Sequence, residues 1–104
     1  MMNNETNVRK DILVTANQCV NGEREGTYGN PENNFGTIAS FWTAYLRASG
    51  ARSDVTITAT DVAAMMALMK VARIGSGNFK LDNWIDLAGY AACGGEIQAN
   101  ANKK

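Results

Sequence analysis

The chain has no histidine, a single proline, two cysteines and no excess of either charge. The absence of histidine excludes imidazole acid–base catalysis, nucleophiles activated by histidine, and histidine-ligated metals. Cys19 and Cys93 are distant in sequence and belong to no CxxC pair, so they indicate neither a zinc site nor a redox motif. We expect two buried thiols. Any chemistry must come from carboxylates, lysine, arginine, tyrosine or the backbone, and no catalytic residue is assigned.

Charge and hydropathy limit the partners of the chain. Ten basic and ten acidic residues cancel, so there is no overall field to attract duplex nucleic acid or an anionic membrane. No apolar run approaches the roughly 20 residues that span a bilayer, and Met1 to Lys10 is too polar for a secretory signal. We therefore expect no duplex nucleic acid partner, no membrane association and a location in the cytoplasm of a bacterial host cell.

Length and periodicity predict the fold class. A chain of 104 residues, 45% of them hydrophobic, has room for one domain with one core, so we treat residues 1–104 as a single helical domain. Apolar residues recur at steps of three and four in four segments. The prediction is an all-α, compact bundle of about four helices, with a long ordered loop after the first helix.

The first half of the chain supplies two of these helices. The first runs from Thr6 to Gly22, and the turn-rich stretch from Asn21 to Asn34 follows it as the ordered loop. Asn30 before Pro31 is a good helix start, and the second helix then runs toward Ser49. Its core face is predicted to carry Phe35, Ile38, Ala39, Trp42, Tyr45 and Leu46.

The third helix is preceded by a short connection, Ala51 to Thr58. Thr58 and Asp61 resemble a capping box, which predicts a helix start there and an end near Gly75. Between Val62 and Ala72 this helix is apolar almost all round, as in a central helix or one that a partner subunit buries. A small four-helix monomer can hardly cover every side of it, so we predict a homo-oligomer.

The fourth helix is predicted to begin near Asp82 and to break at Gly94 and Gly95, leaving a frayed tail from Gln98 to Lys104. We place Trp84 on its apolar, core-facing side.

Two groups of charged residues are candidates for a site. Asp82, Asp86 and Tyr90 are spaced four apart on the fourth helix and, with Gly89 and Cys93, form one polar strip that is predicted to lie opposite the core. In one interpretation Asp82 caps the helix and Asp86 remains solvated. In the other, the two carboxylates share a divalent cation that needs further oxygen ligands. Lys70 and Arg73 lie one turn apart near the end of the third helix. They complement the helix dipole, bind phosphate, or form a salt bridge to Asp82 or Asp86.

The long loop is the third candidate region. Its length, with Arg24 and Tyr28 among several amides, is often functional. Arg24 would pair with phosphate and Tyr28 would stack on a base, although an aromatic ring packed against the core fits equally well. Neither GxGxxG nor GxxxxGK[ST] occurs in it.

The chain resembles a small phage and prophage family of unknown function over roughly Ile12 to Cys93. The shared positions are Arg24, Tyr28-Gly29, Pro31, Asn34-Phe35, Ile38-Ala39, Trp42, Tyr45-Leu46, Asp61-Val62, Met65-Met66, Lys70, Ala72-Arg73, Asp82, Asp86 and Gly89-Tyr90. More remotely, it is similar to MazG-like all-α nucleoside triphosphate pyrophosphohydrolases, which hold Mg²⁺ with carboxylates on adjacent helices. Their ExxE and ExxD motifs are absent, so such an enzyme would have to use Asp61, Asp82 and Asp86.

These resemblances imply a nucleotide ligand, because the shared polar residue types suit phosphate contacts, stacking and base-edge hydrogen bonds. The predicted ligand-binding residues are Arg24, Tyr28, Asn34, Lys70, Arg73, Asp82, Asp86 and Tyr90. We favour a non-catalytic binder, without cofactor, that sequesters a nucleotide or nucleotide-derived signal as phage counter-defence sponges do. The alternatives are a MazG-like Mg²⁺-dependent pyrophosphohydrolase and a protein-interaction module that acts on a host protein.

Overall fold

A computed structural model of the protein describes residues 7–22 and 30–103, which form four helices. In chain order these are α1 (Val8–Asn21), α2 (Pro31–Ala48), α3 (Ala59–Ser76) and α4 (Leu81–Ala101). Within the described ranges there is no strand. The all-α prediction and the predicted number of helices are therefore confirmed.

Polar side chains fix the starts of α2 and α3 as the sequence predicts. The Asn30 side chain accepts a hydrogen bond of 2.8 Å from the backbone N–H of Asn33. Thr58 and Asp61 form a reciprocal capping box: each side chain accepts from the other residue's backbone N–H, at 3.1 and 3.0 Å. Both caps satisfy amides that the first helical turn leaves without a partner.

The connection between α2 and α3 is held by side chains of α2. Gly50, whose φ is +81°, lets the chain turn out of the helix. Arg47 then donates to the carbonyl of Val55 at 2.8 Å, and the hydroxyl of Thr43 accepts from the N–H of Ile57 at 2.8 Å. The segment is an irregular connection, as predicted.

The predicted break of the fourth helix at Gly94 and Gly95 is wrong, because α4 continues to Ala101. A β-carbon on Gly94 would lie 2.9 Å from the β-carbon of Ala63, so the absence of a side chain lets α4 approach α3 closely. Ile97, only 5% exposed, packs in the core beyond the two glycines. This packing outweighs the helix-propensity cost of glycine, about 1 kcal/mol each. Residues Gln98 to Ala101, predicted to fray, are therefore helical.

Helices α3 and α4 form an antiparallel pair, which we call the hairpin (Ala59–Ala101). Near one end Ala63 lies against Gly94, and towards the other end Lys70 contacts Asp86. Three of the four positions that precede these contacts by one residue are buried: Val62, Ile85 and Cys93 are 0%, 7% and 8% exposed, while Met69 is half-buried. They belong to the side of the hairpin that the other two helices cover.

Helices α1 and α2 both lie on this covered side, and within the described ranges no Cα atom of one helix comes within 8 Å of a Cα atom of the other. Helix α1 lies closest to α4, with Val20 against Gly89, and Val20 also packs against the core cluster. Helix α2 packs on both helices of the hairpin, and the rings of Phe35 and Tyr90 are 6.2 Å apart. The principal core cluster consists of Phe35, Ala39, Val62, Ala63, Cys93 and Ile97.

Some apolar positions predicted to face the core are exposed instead. Tyr45 is 70% exposed and Trp84 is 45% exposed. Tyr45 lies at the margin of the apolar stripe of α2, and Trp84 lies on the side of the hairpin that no described helix covers. Cys93 is buried as predicted, whereas Cys19 is half-buried. None of the described helices is long and apolar enough to cross a bilayer.

Candidate ligand site

A buried ion pair joins the two helices of the hairpin. The Lys70 Nζ lies 2.9 Å from Oδ2 of Asp86. The lysine side chain is 9% exposed, while the aspartate side chain is 33% exposed. A buried ammonium needs a compensating charge, and Asp86 supplies it. Of the three interpretations that the sequence left open for Lys70, the salt bridge to Asp86 is the one observed.

The ammonium of Lys70 has more hydrogen-bonding capacity than its partner uses. It carries three N–H donors, and within the described ranges its ion-pair partner is Asp86 alone. A buried ion pair is weak evidence for a stabilising role, because desolvation of both charges offsets their attraction. Lys70 therefore presents unused donors next to a carboxylate that is partly open to solvent.

Two further charged residues flank the ion pair on the side toward the turn between α3 and α4. Arg73 follows Lys70 by three residues and Asp82 precedes Asp86 by four, which places each about one turn, roughly 5 Å, from the pair along its helix. Both are exposed. In the part of the chain that the structure describes, neither forms an ion pair. The guanidinium of Arg73 is thus available to a ligand.

Tyr90 and Asn34 lie on the other side of the ion pair. Tyr90 is one turn beyond Asp86 on α4, and its ring packs at 43° against that of Phe35. Asn34 is in the first turn of α2, next to Phe35 in sequence. Both residues are half-buried. The fold thus pairs Lys70 with Asp86 and places Tyr90 against Phe35, whereas within the described ranges no hydrogen bond or ion pair joins Asn34, Arg73 or Asp82 to this pair.

The remaining two predicted ligand residues, Arg24 and Tyr28, lie outside the described residues, as does most of the predicted ordered loop. Their assignment stays a prediction.

The three carboxylates of the alternative metal site do not come together in one chain. Asp61 is at the first turn of α3, where its side chain caps Thr58. Asp82 is near the opposite end of the antiparallel hairpin, about 20 Å away along the helix axes. Metal ligands lie about 2 Å from Mg²⁺, so the two cannot share an ion. No group of three potential metal-binding residues occurs in the described ranges.

Sequence reasoning missed one feature beside the site. Phe79, in the turn between α3 and α4, is 78% exposed and next to the exposed Lys80. An aromatic ring beside a cation suits stacking on a planar group. The turn has no periodic pattern, so the exposure of Phe79 is the only signal, and exposure is not visible in sequence.

Comparisons with known proteins agree on one family. A domain of unknown function, DUF6378, matches residues 11–98. The Gene 55 protein of Mycobacterium phage L5 is 41% identical over 80 residues, covering 77% of this chain and 47% of that protein. The Gene 55 protein of Mycobacterium phage D29 is 38% identical over 84 residues, covering 81% and 51%. The chain spans about half the length of these curated relatives. No solved structure matches it.

The matched region contains all six described candidate residues, from Asn34 to Tyr90. The predicted resemblance to a phage family over Ile12 to Cys93 is confirmed. The remoter resemblance to MazG-like proteins is not shown by these matches.

Proposed function

Because the chain belongs to the domain family of unknown function DUF6378 and is similar to phage proteins, we propose its function from its own site: it binds a nucleotide or a nucleotide-derived signalling molecule. Binding is stoichiometric and sequesters the ligand without turnover. We place the site around the Lys70–Asp86 ion pair of the hairpin.

The buried ion pair is the observation that carries this proposal. Lys70 has N–H donors that Asp86 does not use, and Asp86 keeps a third of its side-chain surface open. A phosphate oxygen would accept from the ammonium, which is strongly desolvated and therefore a strong donor. The pair thus provides a donor and an acceptor that are positioned before any ligand arrives.

Arg73 extends this site toward the α3–α4 turn. Its guanidinium is exposed, one turn from Lys70, and has no ion-pair partner among the described residues. A planar guanidinium donates two parallel hydrogen bonds to phosphate. Asp82 and Asp86 are acceptors for the N–H groups of a base or the hydroxyls of a ribose. These groups match a ligand with one phosphate-bearing end and one donor-rich end.

Two features favour sequestration over hydrolysis. The chain has no histidine for acid–base catalysis. In addition, the antiparallel hairpin holds Asp61 about 20 Å from Asp82, so the carboxylates are not arranged as a shared metal-binding set within one chain.

Two other functions remain as alternatives. A MazG-like pyrophosphohydrolase would need carboxylates from more than one chain to assemble its Mg²⁺ site. Release of pyrophosphate from nucleoside triphosphates, dependent on Mg²⁺, would establish it. A protein-interaction module acting on a host protein would use an apolar surface instead of the ion pair, and its affinity would be insensitive to Arg73.

The test is native mass spectrometry of the protein purified from bacterial cells during phage infection. We expect an added mass that corresponds to a nucleotide and that is lost on denaturation. The same preparation, stripped of ligand, is then tested for thermal stabilisation by ribonucleotides, deoxyribonucleotides and cyclic dinucleotides. If no mass is added and no member of the panel raises the melting temperature, the proposal is wrong.

A further inference from the structure

The side of the hairpin that faces away from α1 and α2 is apolar, and no described helix covers it. Ala63 and Lys70 of α3 face α4, and Asp86 and Gly94 of α4 face α3. In an antiparallel pair, positions that follow such contacts by one residue turn to the same side of both helices. Those positions and their helical neighbours form a surface that we call the hairpin face: Ala64, Leu68, Val71, Trp84, Ala91 and Gly95.

All six residues of the hairpin face are exposed. Leu68, Val71 and Trp84 are 65%, 49% and 45% exposed. The charged residues between Ala64 and Gly95 on the two helices do not interrupt the face. Lys70 and Asp86 are paired between the helices, and Arg73 and Asp82 point to the covered side. A continuous apolar face of this kind on a small protein marks an interaction site.

We propose that the hairpin face is the interface of a homodimer and that its occupant is the same face of a second copy. The two-fold axis crosses both helices at the level of Leu68 and Ala88, so that α3 packs antiparallel to α3 of the other copy and α4 to its α4. The two hairpins then form a four-helix bundle, and α1 and α2 lie outside it.

The distribution of large and small side chains fits this symmetry. The large Val71 and Trp84 lie on one side of the proposed axis, whereas the small Ala64, Ala91 and Gly95 lie on the other. The axis reverses the direction of the helices, so it brings the large end of one copy onto the small end of the other. A face that is complementary to itself in this way is what a two-fold interface requires.

The area and the charge of the face support the same occupant. From Trp84 to Gly95 the face is about 17 Å long, or about 20 Å with its side chains, and two helices of about 10 Å make it about 20 Å wide. Two copies would bury roughly 800 Å² in total, which is the size of a weak, reversible dimer. Because the face carries no charge, its two copies meet without repulsion.

The first test measures the mass of the protein in solution. We expect light scattering to give twice the 11.2 kDa chain mass for the wild type at micromolar concentration. Leu68→Glu places a charge on the face and should give a monomer that retains its helical circular dichroism. Phe41→Glu is the control, because Phe41 is an apolar residue of α2 that is 70% exposed and off the face. It should remain a dimer.

The second test locates the axis by cysteine cross-linking in a Cys19→Ser background. Leu68→Cys places two thiols next to the axis, so mild oxidation should yield a covalent dimer. Ala64→Cys is also on the face, but its two copies would lie about 12 Å apart, beyond disulfide reach. It should stay monomeric on a non-reducing gel.

Three results would overturn the proposal. They are a wild-type monomer, a Leu68→Glu protein that stays dimeric, and efficient cross-linking at position 64 but not at 68. The hairpin face is opposite the ion pair, so these measurements are independent of nucleotide binding.

Discussion

Lys70 and Asp86 meet at 2.9 Å, but their two side chains differ in burial: 9% of the lysine and 33% of the aspartate remain exposed. The two partners of this ion pair are therefore unequally shielded from water. Removal of the lysine leaves a carboxylate that water can reach, whereas removal of the aspartate leaves a buried charge with no partner. The energetic consequences of the two substitutions should differ accordingly.

Asp86→Ala should lower the free energy of unfolding by about 3 kcal/mol, because the ammonium of Lys70 stays buried without compensation. Lys70→Met should lower it by only about 1 kcal/mol, since the methionine fills similar space and Asp86 becomes hydrated. Urea titration monitored by circular dichroism measures both values. The double variant Lys70→Met, Asp86→Leu should recover most of the loss. Equal costs for the two single variants would contradict the asymmetry.

Gly94→Ala should destabilise the protein. A new β-carbon would lie 2.9 Å from that of Ala63, and overpacking of about 2 kcal/mol exceeds the gain of about 1 kcal/mol in helix propensity. Gly36→Ala is the matched control within α2, because a β-carbon added there would meet no neighbouring side chain or element within 4 Å. It should stabilise the protein by up to about 1 kcal/mol. The urea midpoint should fall for Gly94→Ala and rise for Gly36→Ala, relative to the wild type at equal protein concentration. Such opposite shifts would confirm the close packing of the hairpin.

Arg73→Ala should weaken nucleotide retention at least about tenfold, because a charge-assisted hydrogen bond contributes about 1.5–3 kcal/mol. Arg73→Lys keeps the charge but loses the bidentate geometry, so its affinity should be intermediate. Arg52→Ala is the control. That arginine is 69% exposed and forms a surface ion pair with Asp54, away from the site. The occupied fraction in native mass spectra measures the effect, and equal losses for Arg73→Ala and Arg52→Ala would contradict the site.

Thr58→Ala should cost about 1 kcal/mol of stability, because its hydroxyl accepts the N–H of Asp61 at 3.1 Å. Thr58→Ser should retain the cap and most of the stability. Thr37→Ala provides a comparison inside a helix, where the hydroxyl donates back to the Asn33 carbonyl at 3.1 Å and is exposed. Its melting temperature should change little or rise slightly, since such back-bonding does not stabilise a helix. Equal losses at positions 58 and 37 would argue against the capping box.

The parts of the fold that depend on local interactions could be predicted from the sequence. Asn30 with Pro31, and Thr58 with Asp61, fix helix starts through contacts within four residues. The end of α4 could not be predicted in this way, because Gly94 is helical only through its contact with Ala63, which is 31 residues earlier in the chain. Local propensity favours a break there, and tertiary packing overrides it.

In the candidate site, too, local spacing could be predicted from the sequence, whereas contacts between helices could not. The helical spacing of Asp82, Asp86 and Tyr90 correctly places these residues on neighbouring turns of one helix. The prediction that this strip lies opposite the core is wrong, because Cys93 is buried and Tyr90 packs against Phe35. The spacing does not tell which carboxylate pairs with Lys70, since that depends on the register between α3 and α4. The register also separates Asp61 from Asp82, and composition gives no information about it.

Among the described helices, α1 lies closest to α4. A helix of 14 residues with one main supporting neighbour is marginal by itself, so it can leave and rejoin the molecule without unfolding the hairpin. Its amides should exchange with deuterium before those of α3 and α4. Departure of α1 would uncover Gly89 and the surface of α4 about one turn from Asp86, and the remaining helices would not have to move.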